Sequence, residues 1–319
     1  MKHAYVPIVK CDYGPLDPKV ELKPDFFTGF VAAKRDEITS KEADFYHSIT
    51  KQYSVDDLID KRLLTIQAKD GTKITVKEYR PRNCSESIPA VMFFHGGGFV
   101  TCTIETHDYV PSYLAAKANV AVYSVQYRLA PEYPYPAGIE DCYSACQYVA
   151  ERASELRIDK DHITVAGDSS GGNFAAVICL MARDRKDLKI DKQVLIYPVT
   201  DVTNKIHKDS MRVYGNGEAS DEPAWYLKAY LPDVSKFESN PYVSPMWADD
   251  FNGLPPALFI DAECDTLLDD GLIYANLLKQ DGVKVEVHIY KGMPHAFILR
   301  TYKETFEALD QIVEFIKHD

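Results

Sequence analysis

The stretch "ITVAGDSSGGN", Ile163–Asn173, sets two adjacent serines in a nest of glycines. Ahead of the glycines, "ITVA" is a short apolar, β-branched run. Behind them, "GNFAAVICLMARDR" is of helical length and apolar almost all round. The stretch is therefore a strand-to-helix junction carrying Gly-x-Ser-x-Gly, the local context that gives the pattern chemical meaning. Such a turn strains the backbone of its central serine and lifts the hydroxyl above the sheet. The chain folds back so tightly that the residues two before and two after must be small. Gly167 and Gly171 flank Ser169 in this way, whereas centring the turn on Ser170 would put Asp168, with its Cβ, at one of those positions. The spacing selects Ser169 as the candidate nucleophile. A phosphate loop would need Gly-x-x-x-x-Gly-Lys-Ser/Thr, and no lysine is near. Gly-x-Ser-x-Gly has many chance matches, so an ordinary turn remains open on this motif alone.

Outward from this junction, short apolar runs alternate with helical stretches. "AVMFF" (Ala90–Phe94), "VAVYSVQY" (Val120–Tyr127), "QVLIYP", "PALFID" (Pro256–Asp261) and "KVEVHIY" read as buried strands. "THDYVPSYLAAKA", "GIEDCYSACQYVAERASEL", "LLDDGLIYANLLKQ" and "YKETFEALDQIVEFIK" read as helices. Continuous apolar strands alternating with helices predict a mostly parallel sheet covered on both faces. Upstream, "LLTIQAK" and "KITVKEY", split by Asp70-Gly71, predict a hairpin. The first sixty residues are helical in tendency, including "SKEADFYHSITKQYSVDDLIDKRL". From about Val199 to Met246 no strand is expected; a connection this long and aromatic has the character of a lid or binding element.

A second motif adds specificity. "HGGGF", His95–Phe99, directly follows the strand "AVMFF". Three glycines at a strand end expose backbone N–H groups with no side chain in the way, which suits an oxyanion whose charge develops in the transition state. A plain flexible loop rarely needs three glycines there. His95 reads as a residue that holds this loop by hydrogen bonding.

"HGGG", "YRLAPEYPYPAGIEDC" (Tyr127–Cys142) and "GDSSGG" stand in that order along the chain. The chain thereby resembles the hormone-sensitive-lipase-type branch of the α/β-hydrolase family, the bacterial esterase and arylacetamide-deacetylase-like group. That group carries His-Gly-Gly-Gly, Tyr-Arg-Leu-Ala-Pro-Glu and Gly-Asp-Ser-Ala-Gly-Gly in the same order. The match runs from roughly Leu63 to the C-terminus, and together the motifs are highly specific; the first fifty residues match none. One departure is visible: Ser170 replaces the alanine after the nucleophile. Only its backbone N–H is needed.

The resemblance implies an α/β-hydrolase fold with about eight strands, helices on both faces of a mostly parallel sheet, and a helical cap. The cap would comprise about 1–55 and 199–246 and the catalytic body about 56–198 and 247–319, within a single domain spanning 1–319. It implies that Gly97, Gly98 and Ser170 donate the oxyanion-hole N–H groups. It also implies an acid after "PALFID" and a histidine after the last strand. "DAECDTLLDDG" offers Asp261, Glu263, Asp265, Asp269 and Asp270. The family pattern Asp-x-Leu-x-Asp aligns with Asp265–Asp269 and makes Asp265, in the loop past the strand end, the triad acid. Asp269 and Asp270 then fall in the following helix, as solvated first-turn carboxylates. His295, in "KGMPHAF" beyond "KVEVHIY", becomes the base, while His288 inside the strand is a sheet-face residue. Arg128, Glu132 and Asp168 are expected to support the loops around the site. The expected chemistry is hydrolysis of small, short-chain acyl esters by a serine carboxylesterase, with no metal and no cofactor. An amide deacylase would use the same residues. A non-catalytic receptor on this fold is disfavoured by the presence of His295. Homodimers are common in the group.

Composition sets the remaining bounds. The 319 residues are 46% hydrophobic, ample for a large core, and 26% charged, as in folded globular proteins. The formal charge of -12 repels phosphate backbones and anionic lipid, which speaks against nucleic-acid and membrane partners. Seven scattered cysteines do not form a disulfide framework; Cys142 and Cys146, four apart in a helical pattern, read as buried small hydrophobes. With no signal-peptide core and no membrane-length apolar run, the expectation is a cytoplasmic protein. Phe26, Phe27, Phe30, Trp225 and Tyr226 either line a pocket or pack the cap onto the body, packing being the commoner role for any one of them.

Overall fold

The computed structural model describes residues 3–20, 35–82, 84, 86–215 and 225–318. Phe26, Phe27 and Phe30 lie outside the described residues. Helix α1 spans Arg35–Thr50. The sequence reading carried helical character on to "LIDKRL", but the chain turns extended at Ile59: β1 (Ile59–Gln67) and β2 (Lys73–Pro81) pair antiparallel from Ile59↔Pro81 to Gln67↔Lys73. Pairing along the whole segment outweighs the helical propensity of its Asp-Lys-Arg-Leu composition. The hairpin turns at Gly71, whose φ of +88° suits glycine.

Strands and helices then alternate: β3 (Ile88–Phe94), α2 (Tyr109–Ala118), β4 (Ala121–Gln126), α3 (Ala137–Glu151), α4 (Ala153–Leu156), β5 (Ile158–Asp168), α5 (Ser170–Arg185) and β6 (Lys192–Ile196). The helix expected over "GIEDCYSACQYVAERASEL" is thus two pieces, broken at Arg152. Between β6 and β7 (Ala257–Cys264) there are only short helices among the described residues, including α6 (Asp209–Tyr214) and α7 (Trp225–Tyr230). The chain ends with α8 (Leu268–Gln280), β8 (Val285–Pro294) and α9 (Lys303–Lys317). Among the described residues the strands form one eight-stranded sheet in the order β1-β2-β4-β3-β5-β6-β7-β8. Only β1–β2 and β2–β4 are antiparallel; every other pair is parallel.

The central strands are apolar on both faces because both are covered. On β3, Ala90, Met92 and Phe94 pack with residues of α3, α5 and α8, while Val91 and Phe93 pack with α2 and α9. Cys142 and Cys146 are fully buried in the first of these cores, as small hydrophobes. No helix among the described residues is long and apolar enough to cross a membrane.

Parallel register brings distant segments together at the carboxyl ends of the strands. Phe94 pairs with Gly167, Asp168 with Ile196, and Cys264 with Pro294. The next residues therefore rise side by side: His95 near Asp168, Ser169 near Tyr197, and Asp265 near His295. The junction after β5 needs its glycines: a Cβ on Gly171 would lie 2.0 Å from the Phe94 carbonyl oxygen, and one on Gly167 2.3 Å from the Gly171 oxygen.

The two carboxylates at the start of α8 correct the expectation of solvated charges. Asp269 and Asp270 are buried. Asp270 pairs with the buried Lys208 Nζ at 2.6 Å and accepts the backbone N–H groups of Thr200 and Asp201, each at 2.9 Å. Asp269 accepts the Ser210 N–H at 3.0 Å and the Tyr13 hydroxyl at 3.1 Å. The connection after β6 folds down onto α8, and these two side chains are its anchors. Burial pushes the Asp270 carboxyl above its ordinary range, and Lys208 opposes that rise.

Two stability outcomes follow. Lys208→Met leaves Asp270 without its cation and is expected to cost about 3–5 kcal/mol in denaturant unfolding. Adding Asp270→Asn recovers part of that loss, since the amide oxygen still accepts from Thr200 and Asp201; a further loss in the double variant would contradict the pairing. Gly171→Ala is expected to cost more than the ~1 kcal/mol of Gly253→Ala, which has positive φ but open space around it.

Candidate active site

Ser169 stands between β5 and α5 with φ +56° and ψ −119°, outside the regions open to most residues. Its N–H donates to the Ile196 carbonyl at 2.9 Å, and its own carbonyl accepts from Asn173 N at 3.1 Å. These bonds hold a conformation that costs on the order of 1–3 kcal/mol. The strained backbone is what the small flanking residues imply for Ser169. Ser170 is instead the first residue of α5 and fully buried.

The Ser169 Oγ lies 3.0 Å from His295 Nε2, and His295 Nδ1 lies 2.6 Å from Asp265 Oδ2. Both partners stand where their strands stop: Asp265 follows the last residue of β7 and His295 the last residue of β8. The Asp265 side chain is fully buried, with its second oxygen accepting the Leu267 N–H at 2.9 Å, whereas His295 is 38% exposed. Crowding by protein disfavours the imidazolium, but the Asp265 charge and hydrogen bond outweigh it and raise the His295 pKa. With the Nδ1 proton held by Asp265, Nε2 is free to accept from the serine.

The other carboxylates of "DAECDTLLDDG" are sorted by what surrounds them. Asp261 is buried against α8 with no hydrogen-bond partner among the described residues, and burial pushes its pKa up. Glu263 accepts the Gly292 N–H at 2.8 Å, and His288 sits in β8 against Glu286. Of the five, Asp265 alone meets the imidazole of His295.

The glycine loop lies beside this chain. Gly97 and Gly98 have φ of +114° and +59°. Neither their N–H groups nor that of Ser170 donates a hydrogen bond among the described residues, so all three are unspent donors near the Ser169 turn. His95 holds its loop, as expected: it is buried, with Nδ1 2.7 Å from the Gly96 carbonyl and its ring stacked on Tyr127 at 4.3 Å. Burial and the neighbouring His107 push its pKa down to about 3, so it is neutral. Arg128 makes a two-pronged bond to the buried Asp141, and Glu132 pairs with Arg35 at 2.8 Å.

Two residues of this neighbourhood escaped the sequence reading. Tyr197, buried at the end of β6 with φ +34°, packs its ring 4.7 Å from that of His295. His107 bonds Asp168 in the interior. No spacing or composition signal marks either one; strand register places them. Trp225 is 38% exposed, and Tyr226 is packed against the core from α7, so the expected packing role fits Tyr226 better than Trp225.

Comparison with known proteins places this geometry in a family. A family model for the alpha/beta hydrolase fold matches residues 91–299. Carboxylesterase NlhH of Mycobacterium tuberculosis is 39% identical over 241 residues, covering 72% of this chain and 73% of that protein. An ethyl acetate hydrolase of Pseudomonas putida is 33% identical over 261 residues, covering 80% and 81%. Among solved structures, a hyperthermophilic esterase from the archaeon Pyrobaculum calidifontis superimposes with a TM-score of 0.84 at 36% identity, covering 95% of this chain and 98% of that one. With its eight-stranded sheet, the three motifs and relatives of this extent, the chain belongs to the α/β-hydrolase family, in its hormone-sensitive-lipase-type branch, and is a hydrolase of the esterase class.

Proposed function

We propose that the protein is a serine carboxylesterase that hydrolyses small, short-chain acyl esters through an acyl-enzyme. The observation that carries this reading is the continuous hydrogen-bond chain from Ser169 through His295 to Asp265. Ser169 Oγ attacks the acyl carbonyl while His295 Nε2 takes its proton. Asp265 orients the ring and stabilises the imidazolium. The oxyanion is received by the N–H groups of Gly97, Gly98 and Ser170. His295 then gives its proton to the leaving alkoxide, and the alcohol departs. Water, deprotonated by the same imidazole, attacks the acyl-serine; the C–Oγ bond breaks, His295 returns the proton to Ser169 Oγ, and the acid is released.

The cap is part of the same proposal. The described residues of about 1–55 and 199–246 cover the carboxyl ends of the strands, over a body formed by those of about 56–198 and 247–319. Within the described residues, Arg35 of α1 donates to the Val100 carbonyl of the glycine loop at 2.7 Å, and Tyr230 of α7 stacks on Phe99 at 3.9 Å. Short acyl groups are favoured by the relation to an ethyl acetate hydrolase. A cytoplasmic location, which the scattered cysteines favour, completes the reading.

Three measurements test it. Ser169→Ala is expected to lower kcat about 10^4-fold or more, while Ser170→Ala, which keeps its backbone N–H, retains most turnover. The reverse pattern would move the nucleophile to Ser170. Because the His295 pKa is raised, kcat/KM should fall with decreasing pH through a midpoint above the ordinary imidazole value of about 6.5. A rate flat down to about pH 4.5 would remove His295 as the base. Across p-nitrophenyl esters of rising acyl length plus the acetanilide, kcat/KM should peak at short chains and be lowest for the anilide; a peak at the anilide would make the protein an amide deacylase.

A further inference from the structure

The proposed mechanism leaves one buried carboxylate beside the nucleophile without a task. Asp168 directly precedes Ser169, is 2% exposed, and takes no part in the Ser169–His295–Asp265 chain. Its two oxygens face opposite ends of the loop 95–108, which joins β3 to α2 and carries Gly97 and Gly98. Oδ1 accepts the Gly96 N–H at 2.9 Å, at the start of the loop. Oδ2 lies 3.2 Å from His107 Nε2, near its end. The fit at Gly96 is close: a Cβ there would fall 2.5 Å from Asp168 Oδ2, so the carboxylate rests on the glycine backbone itself.

His107 determines how this carboxylate is turned. Its other nitrogen, Nδ1, lies 2.8 Å from Thr106 Oγ1, and that hydroxyl is also bonded to the Thr103 carbonyl at 2.8 Å and to the Thr103 N–H at 3.0 Å. These contacts hold the ring on its far side with Nε2 facing Asp168, and because an ionised carboxylate can only accept, the proton of that contact lies on Nε2. Burial opposes a charge on Asp168, but His107 and the Gly96 N–H outweigh it and hold the carboxyl below its ordinary range. The neighbouring His95 is neutral and donates to the Gly96 carbonyl, so it offers Asp168 no hydrogen bond.

We propose that His107 is a positioning residue for the oxyanion loop. By donating Nε2–H to Asp168 it sets the carboxylate so that Oδ1 grips Gly96, and this places the adjacent Gly97 and Gly98 N–H groups relative to Ser169 Oγ. Donors so placed matter when negative charge develops, and little in the ground state. Loss of the His107 donor therefore lowers kcat and leaves KM in place. The inference rests on the assignment of Ser169 as nucleophile and of the glycine loop as its oxyanion donor.

Three variants test it: His107→Leu, which has no donor; His107→Asn, whose amide nitrogen matches Nδ1 and does not reach Asp168; and His107→Gln, whose amide nitrogen matches Nε2. With p-nitrophenyl acetate, the Leu and Asn variants are expected to lose about 10–100-fold in kcat with KM within about twofold, less than removal of an oxyanion donor itself. Affinity for an alkylboronic acid, which forms a tetrahedral adduct on the serine, should weaken by the same factor. The Gln variant should recover most of the activity. If the Leu variant does not fold, the Asn and Gln pair still separates the two donor positions. The inference is overturned if the donor-less variants keep wild-type kcat, if Gln is as impaired as Asn while both are folded by circular dichroism, or if KM rises in step with the loss. Ser169→Ala, run alongside, separates this from failure of the underlying assignment: turnover surviving in that variant removes the nucleophile, whereas turnover surviving only in His107→Leu removes the role given to His107.

Discussion

The carboxyl end of β5 packs backbone against backbone. At Gly171 there is no room for even a methyl group over the Phe94 carbonyl, and Gly167 and Gly171 close on each other in the same way. Helix α5 can therefore start directly above the sheet, and the chain turns from strand to helix through one strained residue, Ser169. That turn stands a hydroxyl upright where β3, β5, β6, β7 and β8 all end. If α5 were displaced to accommodate a side chain, Ser169 would leave the reach of His295, and Asp168 would leave the reach of Gly96.

Around this turn the parallel register acts as a positioning frame. Neighbouring parallel strands run about 4.8 Å apart, so residues that leave paired positions start out as neighbours. Cys264↔Pro294 delivers Asp265 beside His295, and Phe94↔Gly167 delivers the glycine loop beside Asp168. Charge is then distributed by depth. The buried Asp265 supports an imidazole that is partly open to solvent, while Asp261, also buried and without a hydrogen-bond partner among the described residues, has its pKa pushed up by burial. Asp269, Asp270 and Lys208 are spent on tying the connection after β6 to α8, which brings α7 and its Tyr230 over the glycine loop.

The alternation of apolar strands with helices predicted the sheet from local pattern, and each expected strand lies in it. Two misreadings are places where a long-range partner outweighs local preference. "LIDKRL" looks helical by composition, but β2 pairs with it residue by residue. Asp269 and Asp270 look like solvated first-turn acids, but the folded connection from Thr200 to Ser210 brings N–H groups and a lysine down onto them.

What the sequence by itself determined is what depends on near neighbours in the chain. The glycines two either side of Ser169 single it out over Ser170, because tight backbone contact is a local steric requirement. The three glycines after β3 mark exposed N–H groups for the same reason. What only the tertiary structure decided is which other distant groups meet: that Asp269 and Asp270 turn to Ser210 and Lys208; that Tyr197 lies against the His295 ring; that the Asp168 carboxylate meets the loop 95–108 at both Gly96 and His107. These depend on strand register and on burial, which assign partners to charges across long stretches of chain, and no short-range spacing encodes either one.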